Sequence, residues 1–162
     1  MDLMAWLTDT DLGQMVFTML VSMVPVVELR GGVPFGVALG LPTWAALIAG
    51  IIGNMIPVPF IVVYIRRILH WMRRHSVRLG QLAERLERKA HLKGHTVTKY
   101  KYLGLYIFVA IPLPGTGAWT GALVAAFLDM PLRKAVPSIL GGVITAGLIM
   151  TFLTHAVTTI VT

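Results

Sequence analysis

Two opposite charges inside an otherwise apolar stretch are the first candidates for chemistry. Glu28 and Arg30 are the only charged residues between Asp11 and Arg66. A charge inside a membrane is costly and is usually paired, functional or both. Arg30 suits a phosphate or carboxylate through its planar five-donor guanidinium, and Glu28 suits proton coupling because desolvation favours a protonated carboxyl group. A structural ion pair that only fixes the local fold is the alternative.

Glycines and prolines follow this pair and form a second, uncharged cluster further along the chain. Glycines let backbones approach closely and free amide groups that could face an anion, and a tryptophan could stack on a ligand or gate it. The candidate binding residues are Glu28, Arg30, Gly31, Gly32, Pro112, Pro114, Gly115, Thr116, Gly117 and Trp119, with Asn54 added from the apolar run between the clusters. Kinks for tight helix packing are the structural alternative, and for Asn54 an interhelical hydrogen bond.

The elements that position these clusters must lie in a membrane. Of the 162 residues, 56% are hydrophobic and only 13% are charged, whereas soluble domains carry about 25% charged residues. The apolar runs 44–65 and 136–160 are long enough to span a bilayer. The runs 15–42 and 102–130 are interrupted by the two clusters, so each is a re-entrant hairpin or a kinked full crossing. Either arrangement places the interruption in a protein interior.

The distribution of charge favours re-entrant hairpins. Residues 66–101 carry 11 of the 14 Lys and Arg residues, which predicts a cytoplasmic segment. With re-entrant hairpins every basic block falls inside and both termini fall outside. A heptad-like apolar seam from Ile65 to Ala90 predicts a helix that continues out of the membrane until Gly94. This helix would pair two subunits or lie against anionic lipid head groups.

An internal repeat predicts that the two halves are inverted copies. At an offset of 89 residues the matching pairs are Pro25 and Pro114, Gly32 and Gly121, Leu39 and Leu128, Pro42 and Pro131, Ala46 and Ala135, and Gly53 and Gly142. One full crossing per half inverts the second copy, as in secondary transporters. The predicted fold is an all-α integral membrane protein with one domain over 1–162. It is an inverted repeat of a re-entrant hairpin plus one transmembrane helix, with a basic cytoplasmic helix between the halves.

The sequence lacks the residues that disulfides, enzyme active sites and metal sites require. The chain has no cysteine, which excludes disulfides and thiolate sites. It has no catalytic constellation and no phosphate-binding Gly-Lys-Ser/Thr loop, so we expect no enzyme activity and no cofactor. His91 and His95 have the spacing of metal ligands but no third partner, so no metal site is expected. Nucleic acid is not an expected partner, because the position of the basic helix beside the membrane already accounts for its positive charge.

Both clusters resemble a known family. The segments ELRGGVPFG (28–36), Gly53-Asn54 and IPLPGTGAW (111–119) are similar to the small multidrug export family, which is grouped with the DedA (VTT-domain) superfamily. The resemblance implies two re-entrant hairpins that face each other and a role in moving lipids such as undecaprenyl phosphate, with proton coupling. By this resemblance Glu28 matches the acidic residue of the first hairpin, and Pro112 and Pro114-Gly115 match the turn of the second. Thr116-Gly117 stands where the superfamily has an arginine.

Three functional hypotheses follow. The first is a homodimeric transporter in the cytoplasmic membrane that flips an anionic lipid such as a polyprenyl phosphate, with Arg30 on the head group and Glu28 carrying the proton. The second is a proton-coupled exporter of small amphipathic or cationic compounds, with Glu28 as counter-charge and Arg30 as its release partner. The third is a non-transporting scaffold whose basic helix recruits a partner.

Overall fold

The computed structural model describes residues 3–113 and 115–161, and these ranges are all-helical, without strands. The helices are α1 (Leu3–Asp9), α2 (Asp11–Met23), α3 (Glu28–Ala38), α4 (Thr43–Met55), α5 (Pro57–His75), α6 (Val77–Ala110), α7 (Ala118–Phe127) and α8 (Leu132–Val161). The stretches Thr43–Ile65 and Leu132–Val157 are long and apolar enough to cross a membrane, in agreement with the predicted spans. The first is divided between α4 and α5 at Pro57, which has no backbone N–H to donate.

Helices α2 and α3 fold back on each other. Gly32 lies against the side chain of Ser22, and a Cβ atom at Gly36 would come within 2.6 Å of Thr18 Oγ1. Small residues at such contacts let two helix backbones approach closely. The connection between the helices, together with the ends that flank it (residues 23–30), is called the first tip.

The second half contains a similar pair. Helix α6 is kinked at Lys101, whose φ of 48° and ψ of −116° are not helical. The part of α6 beyond this kink packs against α7. A Cβ atom at Gly121 of α7 would meet the side chains of Val109 and Leu105 of α6. The connection between α6 and α7 with the first turn of α7 (residues 111–119) is called the second tip.

The corner after each hairpin is built in the same way, 89 residues apart. Gly40 and Asp129, with φ of 106° and 54°, both have left-handed backbone, and Pro42 and Pro131 precede α4 and α8. The matching backbone hydrogen bonds are Leu41 N to Gly36 O (3.1 Å) and Met130 N to Ala125 O (2.9 Å), and Ala46 N to Pro42 O (3.1 Å) and Ala135 N to Pro131 O (3.0 Å).

Each of these two long apolar stretches packs against the hairpin of its own half through a glycine. Gly53 of α4 lies on the backbone of Met19, and a Cβ atom at Gly142 of α8 would be 2.8 Å from the carbonyl oxygen of Tyr106. Further along α8, Gly147 lies against Leu47 of the first half. Helix α8 therefore joins the two halves.

The segment after the first span departs from the prediction. Helix α5 ends at His75, and Ser76 has extended backbone with φ of −161°. Helix α6 then packs back along α5. Leu69 and Ala83 are 2% and 0% exposed, so folding back buries apolar surface that a single projecting helix would leave in water. The prediction of one helix continuing from the span until Gly94 is therefore wrong.

Candidate functional site

The first tip holds its charged residues in a constrained backbone. Val26 and Glu28 have φ of 79° and 50°, a region that residues other than glycine rarely adopt and that costs about 1–3 kcal/mol each. The Glu28 side chain is nevertheless 5% exposed. Such strain persists only where the surroundings hold it, and here it turns the carboxyl group toward the second tip.

The second tip is formed where α6 cannot continue. Pro112 interrupts the helix because it lacks an N–H group, and Gly115 has φ of 80°. The hydroxyl group of Thr116 lies 2.8 Å from the carbonyl oxygens of both Ile111 and Leu113. These contacts fold the tip into a tight loop whose carbonyl oxygens point in a common direction.

Glu28 caps helix α7 from the other hairpin. Its Oε1 accepts a hydrogen bond from the backbone N–H of Trp119 at 3.1 Å. Gly117, the N-cap residue of α7, supplies no side-chain cap, and a Cβ atom there would overlap the Glu28 carboxyl group. A carboxylate at a helix N-terminus satisfies a free N–H group and complements the helix dipole. The first tip thus provides the cap that the second tip lacks.

Arg30 performs the converse task at the carboxyl end of α6. Its guanidinium donates to the carbonyl oxygen of Leu113, to the carbonyl oxygen of Ile111 at 2.9 Å and to Thr116 Oγ1 at 3.2 Å. A cation is stabilised near the carbonyl groups that end a helix. Both charges of the first tip are therefore directed to the second tip, one to each end of its connection.

Trp119 completes the contact in the reverse direction. Its indole Nε1 donates to the carbonyl oxygen of Met23 at 3.0 Å, and Met23 is the last residue of α2. Arg30 and Trp119 are 89 residues apart, the offset of the repeat. Each of them bonds to the carboxyl end of a helix in the opposite hairpin.

A cavity of about 320 Å³ lies beside this contact. Its walls combine both tips with apolar side chains of α5 and α6. The lining residues are Pro25, Val26, Glu28, Arg30, Ile61, Ile65, Leu86, Gly115, Trp119, Thr120 and Leu123. Glu28, Arg30 and Trp119 therefore line one largely apolar chamber.

Most of the predicted candidate residues meet at the tips, but not all. Gly31 and Gly32 lie in α3, where missing Cβ atoms make room for Val27 and Ser22. Asn54 is fully buried in α4 and does not line the cavity; its Oδ1 has no hydrogen-bond partner within the described ranges. Pro112 belongs to the second tip, and Pro114 lies outside the described residues.

Sequence reasoning missed the partners that are not themselves unusual residues. The carbonyl oxygen of Met23 carries no signal in a sequence, because every residue has one. Ile61, Ile65 and Leu86 resemble any other apolar residues of their helices. Leu86 reaches the cavity because the chain turns at Ser76, and the apolar spacing, which continues across Ser76, gives no signal of that turn.

The described residues do not form a candidate metal site. These contain no group of three or more His, Cys, Asp or Glu side chains placed to hold a metal ion. The side chains of His91 and His95 lie outside the described ones, so the expectation for that pair stays a prediction.

Comparison with known families now gives the class of the protein. Residues 28–149 match the family model described as "Putative small multi-drug export protein", and this range contains Glu28 and Arg30 of the first tip, the whole second tip and most of both predicted spans. The chain belongs to that family. With its two apolar helices it is a membrane protein, whereas a place in the DedA superfamily stays a prediction. No curated protein and no solved structure matches the chain.

Proposed function

We propose that this protein exports small amphipathic or cationic compounds across the cytoplasmic membrane in exchange for protons. The observation that carries the proposal is the cavity beside the contact between the tips, which Trp119 and the buried Glu28 both line. Family membership supports export of this kind.

The chemistry of the cavity suits such a cargo. Pockets for small ligands have volumes of about 300–1,000 Å³ and combine apolar walls with a few polar groups, and this chamber lies at the lower end of that range. Glu28 can act as the counter-charge of a cation. The face of an indole ring attracts cations, so Trp119 can hold the same charge from another side.

Proton coupling follows from the double role of Glu28. As a carboxylate, it caps α7 through the Trp119 N–H group. Protonation removes the charge that favours this position and weakens the link between the tips. A proton and a cationic cargo then compete for one group, which is the requirement for exchange. Arg30 remains on the second tip and favours release of the cargo.

The arrangement of the helices supports two re-entrant hairpins in an inverted repeat. Along α4, Ala46 lies against Gly36 and Gly50 against Leu29, so the helix runs from the open end of its hairpin toward its tip. Along α8, Ile139 lies near Gly121, and later residues pass the second tip to reach the first half. The spanning helices thus start at opposite ends of a pair of hairpins that meet at their tips.

Lipid flipping has less support. Its mechanism assigns Arg30 to a lipid head group, yet the Arg30 donors are engaged by three acceptors of the second tip. The family description also names drug export and not lipid movement. Translocation of a polyprenyl phosphate therefore stays a prediction.

Transport by the purified chain in proteoliposomes tests the proposal. With a pH gradient imposed, we expect uptake or release of a fluorescent lipophilic cation that Glu28→Gln abolishes. Glu84→Gln is the matched control, because it removes an exposed carboxyl group on α6 and should transport as the parent does. Dye movement that is the same in Glu28→Gln as in the parent protein would refute the role of Glu28. Movement of a labelled polyprenyl phosphate that Arg30→Ala abolishes would favour the flippase instead.

A further inference from the structure

We infer a binding site for an anionic phospholipid on the outward face of α5, where the first span ends. This inference concerns binding only and stands or falls independently of the proposed transport. Arg67, His70, Trp71 and Arg74 enclose an open recess of about 440 Å³. Their spacing of three, four and seven residues places them on one side of a helix.

This face is not covered by the rest of the chain. Arg67 and Trp71 are each two residues from the buried Leu69, which at 3.6 residues per turn puts them on the opposite side of α5. Trp71 is 54% exposed, and Arg67, His70 and Arg74 are also exposed. The recess therefore opens to the surroundings of the protein.

The charge of the recess is not neutralised within the described part of the chain. Glu87 of α6 pairs with Arg73, and neither Arg67 nor Arg74 has a carboxylate partner there. Guanidinium groups bind phosphate oxygens through two parallel N–H bonds. Arg67 and Arg74 lie two turns apart, about 10 Å along the helix axis, so their long side chains can converge on one phosphate.

The recess begins in the head-group layer and extends beyond it, since Arg74 lies roughly 13 Å past the end of the span. Arg67 lies two residues beyond the end of the span at Ile65, roughly 3 Å along a helix that rises 1.5 Å per residue, and Trp71 lies roughly 9 Å beyond it. The head-group layer is roughly 5–7 Å thick on each side of the hydrocarbon core. Trp71, whose ring packs against His75 with centroids 4.2 Å apart, is of the type enriched at this interface.

The same face continues into the membrane as an apolar surface, and this favours a lipid over a free anion. Phe60, Val63 and Tyr64 are exposed large side chains on the turns that precede Arg67. A phospholipid can place its phosphate on the arginines and its acyl chains along these side chains. Inorganic phosphate would use only the cationic half of the surface.

Lipid retention by the full-length protein tests the inference. The protein is purified in detergent and titrated with phosphatidylglycerol or phosphatidylcholine, and bound lipid is counted by native mass spectrometry. The double variant Arg67→Ala/Arg74→Ala removes the site. The matched control is Arg78→Ala/Arg85→Ala, which removes the same charge at the same spacing from exposed positions of α6. Thermal unfolding of each variant verifies that it is folded.

We expect the parent and the control to prefer phosphatidylglycerol, and the site variant to bind it about 30-fold more weakly, as two lost head-group contacts predict. Equal weakening in both double variants would overturn the inference, because attraction would then be a property of the whole basic segment. Unchanged binding by the site variant would overturn it as well. Displacement of the lipid by inorganic phosphate would show a simple anion site in place of a lipid site.

Discussion

The carboxyl group of Glu28 occupies the space that a side chain at Gly117 would fill. These residues are 89 positions apart, which is the offset of the matching residues in the sequence, and they touch each other where the tips meet. The predicted inverted repeat would place such a contact near its two-fold axis. Glu28 carries a carboxyl group and Gly117 has no side chain, so the contact holds one ionisable group and not two that would repel.

Gly117→Ala should destabilise the protein and stop transport. A methyl group at this position would displace the Glu28 carboxyl group from the N-terminus of α7, and overpacking of this kind costs about 1–3 kcal/mol. The free energy of unfolding in detergent measures the effect. Gly80→Ala is the control, because its new Cβ atom would only meet Arg73 Cα at 3.7 Å. An unaffected Gly117→Ala protein would contradict the described contact.

Arg30→Lys should fail to replace arginine. A lysine is a compact point charge and cannot reproduce the planar fork that reaches Ile111, Leu113 and Thr116 together. Charge-assisted hydrogen bonds are worth about 1.5–3 kcal/mol, so we expect Arg30→Ala to lose about 2 kcal/mol of unfolding free energy and Arg30→Lys to recover only part of it. Arg85→Lys, at an exposed position, should be neutral. Full recovery by lysine would indicate that only the positive charge matters.

Trp119→Phe should weaken the link between the tips while keeping an aromatic ring in the wall of the cavity. The substitution keeps an aromatic ring but removes the hydrogen bond to the Met23 carbonyl oxygen. Hydrogen bonds between membrane helices contribute about 0.6 kcal/mol on average and about 1.7 kcal/mol at most. We expect a loss in this range, measured by unfolding in detergent. Trp44→Phe, at an exposed position of α4, gives the background value, and an equal loss there would remove the role assigned to the indole N–H group.

The sequence indicated the tips because their signals are local. A reader of the sequence can recognise two charges in an apolar run, and clusters of Gly and Pro, without knowing the fold. Glu28, Arg30 and Trp119 can therefore be chosen as candidate site residues from the sequence alone. Their partners depend on tertiary structure and were therefore not predictable. Asn54 shows the opposite case, because its polarity in an apolar helix is a local signal, yet it is buried in α4 and does not line the cavity.

The basic segment shows why a periodic pattern can mislead. The apolar seam from Ile65 to Ala90 keeps its spacing across Ser76, so the pattern alone favours one helix. The chain instead turns at Ser76, and members of the seam on α5 and α6 are buried as the two helices pack together. Periodicity identifies which residues are buried, but it does not identify the surface that buries them.

Single cysteines can establish whether the hairpins are re-entrant, since the chain has none of its own. With re-entrant hairpins, cysteines at Asp9 and Thr43 should react from outside intact cells, and cysteines at His75 and Met130 only after permeabilisation. The first two positions flank the first hairpin, so a hairpin that enters and leaves on one side exposes both to the same reagent. Labelling of Asp9 and Thr43 from opposite sides would mean that the first hairpin crosses fully. The contacts between Glu28 and the second tip would then be structural, and the exchange mechanism would lose its basis.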